Sequence, residues 1–148
     1  MLGIKTLPFC ALLIAAAVLS GCASFKEAIG LDDAYSKRLV ETPWNIKSIR
    51  GAEVAGAKPL TIHFDLESKI SGFSGCGEYT AEYWIRGNRI DIMRISAVSR
   101  SACDGDAVVQ ESKLMESLRW TRRLRIEADG SLLMRARGGP PLRLVPTL

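Results

Sequence analysis

Two cysteine-containing segments constrain the fold of this chain more than any other feature of its sequence. Residues 70–79 join two predicted strands through three glycines and Cys76, and residues 99–103 end at Cys103. The segments around both cysteines have the composition of strands and tight turns. The simplest prediction is therefore a disulfide between Cys76 and Cys103 that ties two ladders of one small β domain together.

The N-terminal residues have the pattern of a targeting signal, which is excluded from the fold. Lys5 provides a positive charge, residues 7–19 are apolar, and small residues precede Cys22. Leu-Ser-Gly-Cys at residues 19–22 resembles the bacterial lipobox, in which the cysteine sulfur takes a diacylglycerol and becomes the mature N-terminus. The alternatives are a simple secretion signal and an uncleaved anchor, although the apolar run is short of the ~20 residues of a comfortable membrane span.

We therefore expect residues 1–21 to be a cleaved lipoprotein signal peptide and Cys22 to carry the lipid that holds the chain to a membrane. Ala23, rather than an aspartate, follows this cysteine. By resemblance to Gram-negative sorting patterns, an alanine here favours the outer membrane, with the domain facing the periplasm.

Lipidation leaves two cysteines for the folded part of the chain. Cys10 is removed with the signal peptide and Cys22 is modified, so Cys76 and Cys103 remain as a pair in an oxidising compartment. A bridge closing a loop of this length stabilises by roughly 3.5 kcal/mol in the chain-entropy model. A redox-active or metal-binding pair is the alternative, but there is no Cys-x-x-Cys and no histidine near either residue. No metal or other cofactor is expected.

The rest of the chain divides into a tether and one domain. Residues 22–41 are mixed in charge with few large apolar side chains, so we expect a fraying helix or a coil that spaces the domain from the membrane. Residues 42–148 are long enough for a single core. Trp44 opens a first strand, residues 60–66 alternate apolar and polar side chains, and Gly87-Asn88 suits the turn of a hairpin.

One helix and three C-terminal strands complete the predicted domain. Residues 107–118 have helical spacing, and their apolar stripe is expected to pack on the sheet rather than to form a binding groove. Val108, Glu111, Met115 and Leu118, with Leu114 beside them, lie at this helical spacing. Asp104 and Asp106 precede the helix; their spacing fits no calcium loop, and an acidic helix cap is their expected role.

The sequence offers no recognisable catalytic site. His63 is the only histidine, and the alternation of residues 60–66 directs it toward solvent. No serine or cysteine nucleophile stands beside it. There is also no serine elbow and no pair of carboxylates at a plausible spacing. We therefore expect a protein that is not an enzyme, with a hydrolase as the least favoured alternative.

Positive charge is concentrated near the C-terminus. Residues 119–148 contain seven arginines and two acidic residues, a net charge of +5, whereas residues 22–118 have a net charge of −2. Adjacent strands could direct five of these arginines to one outward face and form a cationic patch. The five are Arg123, Arg125, Arg135, Arg137 and Arg143. One interpretation is a solvated edge that discourages aggregation; the other is contact with anionic envelope components, such as lipid phosphates, or with an acidic partner. Nucleic acid is not expected there.

Laid end to end, these segments resemble the META domain of the heat-shock lipoprotein HslJ family over nearly all of residues 44–145. The resemblance lies in a tryptophan opening the first strand, the Gly-Phe-Ser-Gly-Cys-Gly-Glu-Tyr and Ser-Arg-Ser-Ala-Cys segments, and a Gln-Glu pair in the helix. The positions that match the family pattern are Gly75, Cys76, Tyr79, Arg100, Ala102, Cys103 and Glu111. Gly77, Ser99 and Ser101 depart from it, standing where the family usually has asparagine, threonine and methionine.

The resemblance implies a mainly β (α+β) fold, a small antiparallel β-barrel or half-barrel with one packed α-helix. It implies a non-enzymatic envelope protein linked to stress tolerance, and it brings no catalytic residues. Similar open barrels bind acyl chains or pilot secretins. A lipocalin-like module for an apolar ligand and a pilotin-like partner of an outer-membrane protein are therefore the alternatives. A monomer is expected.

Overall fold

The computed structural model describes residues 34–98, 103 and 105–147 of the 148-residue chain. The helices in these ranges are α1 (Ala34–Glu41) and α2 (Gly105–Trp120). The strands are β1 (Trp44–Ile49), β2 (Ala52–Glu53), β3 (Leu60–Phe64), β4 (Lys69–Phe73), β5 (Glu78–Arg86), β6 (Arg89–Ala97), β7 (Thr121–Ile126), β8 (Leu132–Ala136) and β9 (Leu142–Pro146). The predicted signal peptide, Cys22, Arg100 and Ala102 lie outside the described residues. Within those ranges no helix is long and apolar enough to cross a membrane.

Eight of the strands form a closed antiparallel barrel. They pair in the order β1, β3, β4, β5, β6, β7, β8, β9, and β9 pairs with β1 again, from Trp44 opposite Pro146 to Ser48 opposite Arg143. β2 adds only a short hairpin to the end of β1. The predicted mainly β fold is confirmed, and of the two predicted forms the sheet takes the closed one.

Alternating side chains place one face of each strand inside the barrel. Along β3, Leu60, Ile62 and Phe64 are buried, while His63 is exposed. The same period of two runs along β5 and β6, whose hairpin turns at Gly87-Asn88 as predicted. Because successive side chains of a strand point to opposite faces, this pattern builds an apolar interior and a polar outer wall.

The interior of the barrel is filled by its own side chains. The rings of Phe64 and Tyr83 meet edge to face with their centroids 5.3 Å apart. Residues exposed by no more than 1 % include Trp44, Leu60, Ile62, Phe64, Ile70, Tyr79, Leu132 and Leu144. An eight-stranded barrel is just wide enough to be filled by side chains or to hold one small ligand. In this domain the side chains occupy the centre.

Helix α1 is part of the folded domain, although the sequence suggested a spacer there. Leu39 is fully buried in the core, and its carbonyl oxygen accepts a 3.0 Å hydrogen bond from the indole Nε1 of Trp44 at the start of β1. The expected tether over residues 22–41 therefore ends in a helix that packs at one end of the barrel. Leu39 and Val40 are its only large aliphatic residues, too few to show a helical period in the sequence.

Helix α2 covers the opposite end of the barrel. Arg50, just past the end of β1, forms a 2.9 Å ion pair with Glu116 of α2. The helix also contacts β1, β6 and β8, which lie on different sides of the barrel. Leu114 and Leu118 are fully buried, as predicted. The prediction for Val108 was wrong: it is 42 % exposed, because the first turns of α2 lie over the loop after β2 rather than over the core.

Gly72 allows the ring of Tyr79 to lie directly against strand β4. A methyl group at position 72 would come within 2.8 Å of the Tyr79 hydroxyl oxygen and would collide with the backbone carbonyl oxygen of Thr61. The Tyr79 hydroxyl donates a 3.0 Å hydrogen bond to that same carbonyl oxygen. Burial raises the pKa of Tyr79 above its ordinary value, so the hydroxyl keeps the proton that it donates.

We expect Gly72→Ala to lower the free energy of unfolding by about 3 kcal/mol, because the methyl group overpacks a contact with rigid backbone. Urea denaturation of the oxidised protein measures the change. The control is Ser71→Ala at the exposed neighbour in the same strand, which should cost less than about 0.5 kcal/mol. Equal losses in the two variants would contradict the role assigned to Gly72.

Candidate functional site

The family-pattern residues that the structure describes gather mainly at the end of the barrel covered by α2. Gly75 has a positive φ of 101° in the turn between β4 and β5, and its neighbour Cys76 is buried. The structure joins Cys76 to Cys103, as predicted, with their Cα atoms 5.2 Å apart. Cys103 lies just before α2 in the chain, so the bridge fastens the β4–β5 turn to the start of the helix.

The buried hydroxyl of Ser74 organises this turn. Its Oγ lies 2.6 Å from Oε1 of Glu111 in α2 and 3.3 Å from the backbone nitrogen of Gly77. A carboxylate only accepts, so Ser74 donates to Glu111, and it accepts from the backbone N–H of Gly77. The carbonyl oxygen of Gly77, 2.9 Å from the same hydroxyl, is a second acceptor. Hydrogen bonds from a hydroxyl to a carboxylate are among the stronger ones in proteins. Glu111 therefore fixes α2 to the β4–β5 turn.

Gln110, beside Glu111, fixes the same helix to a second loop. Its side-chain oxygen accepts a 2.9 Å hydrogen bond from the backbone N–H of Ala55, and its side-chain nitrogen donates at 3.0 Å to the carbonyl oxygen of Ala55. The Gln-Glu pair that the sequence comparison singled out thus holds two loops of the barrel end. We refer to Ser74, Gln110 and Glu111 as the helix clamp, and its contacts are structural.

The outer wall of β3 carries the single histidine. His63 is exposed, as its alternation predicted, and stands opposite Ser71 of β4. No hydrogen bond joins these two side chains, so they lack the contact that activates a nucleophile. Across the part of the chain that is described, no three histidine, cysteine or acidic side chains come together as a metal site.

A shallow depression lies on the outer surface beside the turn between β7 and β8, and its charged groups bind one another. Asp129 accepts hydrogen bonds from the hydroxyl of Ser131 at 2.6 Å and from its backbone N–H at 2.9 Å. It also pairs with Arg143 at 2.7 Å. The bonds from Ser131, followed by Arg143, lower the pKa of the Asp129 carboxyl. The depression therefore offers few free polar groups to a ligand.

The arginines predicted to form a cationic patch lie on the outer wall, but they differ in their partners. Arg125 forms an ion pair with Glu127 at 3.1 Å, as Arg143 does with its aspartate. Arg123 and Arg135 are exposed and stand directly opposite each other on β7 and β8. Arg137 is exposed just beyond the end of β8. The outward orientation is as predicted, and a role in binding stays a prediction.

Two arginines outside the C-terminal region extend this row across the sheet. Arg86 of β5 stands opposite Arg89 of β6, Arg89 opposite Arg123 of β7, and Arg123 opposite Arg135 of β8. Directly opposite residues share one face of a sheet, and all four side chains are exposed. We refer to these four residues as the arginine ladder. None of them forms an ion pair with another described residue.

Two exposed tryptophans lie beside the arginine ladder. Trp84 is 56 % exposed, and the guanidinium of Arg86 lies 4.9 Å from the centroid of its ring. Trp120, at the end of α2, is 54 % exposed, with the guanidinium of Arg122 6.0 Å from its ring. Asp91, directly opposite Trp84, lies 3.7 Å from Arg122. These contacts join both tryptophans to the ladder in one continuous surface.

A closed eight-stranded barrel with a helix at each end and a clamped turn defines a small β-barrel module with a packed interior. The model of the META domain family matches residues 37–147. The chain therefore belongs to the META domain family, and the resemblance identified from its motifs is confirmed.

Two solved structures have a similar fold. An NMR structure of a protein from Burkholderia xenovorans has 20 % identity, covers 77 % of this chain and 87 % of its own, and superimposes with a TM-score of 0.60. A second NMR structure has 16 % identity, covers 74 % of this chain and 92 % of its own, and has a TM-score of 0.60. At these identities the likeness establishes the fold alone. No curated protein matches the sequence.

Glu111→Ala should lower the free energy of unfolding by about 2 kcal/mol, because it removes the hydrogen bond to a charged group that joins α2 to the β4–β5 turn. The matched control is Glu116→Ala in the same helix, whose ion pair with Arg50 is about half exposed and contributes less than about 1 kcal/mol. Chemical denaturation of both oxidised variants measures the difference. A loss at Glu116 as large as that at Glu111 would contradict the helix clamp.

Proposed function

We propose that this META domain protein is a non-enzymatic lipoprotein, anchored to the outer membrane through Cys22, with its domain in the periplasm. There it supports envelope integrity or a stress response. The observation that carries the proposal is the packed interior, in which the barrel's own side chains occupy the space that a ligand would need. A domain built in this way acts through its outer surface.

The membrane anchor is supported by the sequence before the domain. Residues 19–22 have the lipobox-like pattern Leu-Ser-Gly-Cys, and α1 begins at Ala34. Between Cys22 and Ala34 the chain can span at most about 40 Å. A lipid on Cys22 would therefore keep the domain within one domain diameter or so of the membrane surface.

The packed interior counts against the alternative of a lipocalin-like carrier. Such a ligand would lie between sheet and helix, where Leu114 and Leu118 are fully buried in the core cluster. Exposing one buried leucine costs about 2 kcal/mol, so a ligand would have to replace these contacts before it gained any affinity. A pilotin-like role uses the outer surface, and an outer-membrane protein thus stays a candidate partner.

Native mass spectrometry tests the choice between accessory protein and carrier. The chain from residue 22 with Cys22→Ala is exported under a cleavable signal without a lipobox and purified without detergent. We expect the mass of the polypeptide less two hydrogen atoms, with no bound molecule, because the bridge forms and the interior is full. A reproducible extra mass of a fatty acid or phospholipid, lost in Leu114→Trp, would instead identify a carrier.

The anchor has its own test in the full-length chain. Cys22→Ala, with residues 1–21 replaced by a cleavable signal that has no lipobox, should move the protein from the membrane fraction to the soluble periplasmic fraction after a high-salt wash, since no acyl chain holds it. Cys10→Ala, in the signal peptide, is the matched control and should leave the protein in the membrane fraction. Membrane retention of the Cys22→Ala protein after the wash would refute lipid anchoring at this residue.

A further inference from the structure

The arginine ladder carries an electrostatic cost that the described fold does not offset. Neighbouring strands lie about 4.8 Å apart, so four adjacent strands bring the four arginine positions within about 15 Å of one another. Like charges directly opposite each other on a sheet are destabilising. An anion bound from outside the domain would relieve this repulsion, and the wall formed by β5, β6, β7 and β8 is therefore a candidate for an anionic partner.

The arginines of the ladder lack ion-pair partners although acidic residues lie nearby. Asp91 lies 3.7 Å from Arg122, and Glu127 lies 3.1 Å from Arg125. Both acidic side chains belong to the same outer wall, yet each pairs with an arginine outside the ladder. The four ladder positions are the ones that the wall presents without a counter-charge.

The exposed tryptophans indicate what kind of anion fits this wall. Indole rings have an apolar body and a polar N–H, and they are favoured at the boundary between water and lipid. Trp84 and Trp120 are both more than half exposed beside the ladder. A soluble polyanion would use the arginines alone, whereas an anionic bilayer would use the arginines and the rings together.

The ladder also begins at the end of the barrel where the described chain starts. β1 starts beside α1, and each following strand in the order β3, β4, β5 runs antiparallel to the one before it. β5 therefore ends at the α1 end, and Arg86 and Arg89 flank its turn there. α1, where the described chain begins, lies at the same end, so a lipid anchor at Cys22 is expected to bring this turn close to the membrane.

We propose that the wall formed by β5 to β8 docks on an anionic phospholipid surface. The arginine ladder contacts the headgroup phosphates, and Trp84 and Trp120 enter the interface. This docking surface adds a contact to the proposed function, and it depends on that function only for the lipid anchor at Cys22. Docking would hold the anchored domain in one orientation, with the opposite wall, formed by β1 and β3, facing away from the membrane.

Vesicle co-sedimentation of the Cys22→Ala chain from residue 22 tests the docking surface. Vesicles of phosphatidylglycerol with phosphatidylcholine are compared with phosphatidylcholine alone at low ionic strength. We expect binding to the anionic vesicles only, weakened by salt. Because each basic residue near an anionic surface contributes a factor of about 5 in affinity, Arg123→Gln with Arg135→Gln should weaken binding about 25-fold.

The matched control removes the same charge from the opposite side of the barrel. Lys47 of β1 and Lys58 of the following loop are exposed, and Lys47→Gln with Lys58→Gln should change binding by less than about 2-fold at equal net charge. The ladder variant should unfold at the same or a higher temperature than the parent, since it removes repulsion. Equal weakening in both double variants would overturn the ladder as the docking site.

Native tryptophan fluorescence separates a bilayer from a soluble polyanion. Trp44 is buried in the core, so vesicle-induced changes report on Trp84 and Trp120. Brominated phosphatidylcholine included in the anionic vesicles should quench these two, and Trp84→Phe with Trp120→Phe should remove the quenching. Binding to inorganic polyphosphate without binding to vesicles, or vesicle binding without quenching, would overturn membrane docking. Cys22 is replaced in this chain. Either result therefore tests the docking surface alone and leaves the proposal of a lipid anchor to its own experiment.

Discussion

The rest of the structure depends on the pairing of the first and last strands of the barrel. Trp44 stands opposite Pro146 and Ile46 opposite Leu144, so β1 and β9 leave no open edge between them. Without this pairing both strands would expose unpaired backbone N–H and carbonyl groups, and water would reach the apolar interior. β1 also connects the two ends of the barrel, since Trp44 bonds to α1 and Arg50 to α2. β1 therefore takes part both in closing the barrel and in holding the helices at its two ends.

Closure determines where this domain can act. Inward-pointing apolar side chains fill this barrel, and the family-pattern residues hold the covering helix in place. Glu111 binds Ser74, Gln110 binds Ala55, and Cys76 is bonded to the segment before α2. Each of these groups already has a partner within the domain. The chemistry that remains is on the outer wall, where the strands present side chains that the core does not need.

Local sequence patterns predicted much of this fold, because alternation, turn residues and the cysteine pair each act over short range. The inward face of β3, the hairpin at Gly87-Asn88 and the bridge from Cys76 to Cys103 were all predictable. The burial of Leu39 was not, since a short polar helix acquires its apolar contact only from the finished barrel. The arginine ladder was predictable only in part. Arg89 pairs with a residue of β7, and α2 separates these two strands in the chain. The alternation of side chains within one strand does not determine the register between such distant strands.

The closed barrel bears on the two interpretations of the positive charge. Charged side chains protect a sheet from aggregation where a strand has an unpaired edge. β5, β6, β7 and β8 are each paired on both sides, with β6 and β7 joined at the single pair of Arg89 and Arg123. Both interpretations stay predictions, and pairing on both sides reduces the open edge that edge protection would cover. Solvation alone does not require that four arginines stand in one row, because the same wall pairs Arg125 with an acidic residue only one row away. Unpaired like charges in register lower the stability of an isolated domain and gain a favourable contact only when an anion meets them. The proposed docking surface accounts for this arrangement through a partner outside the domain.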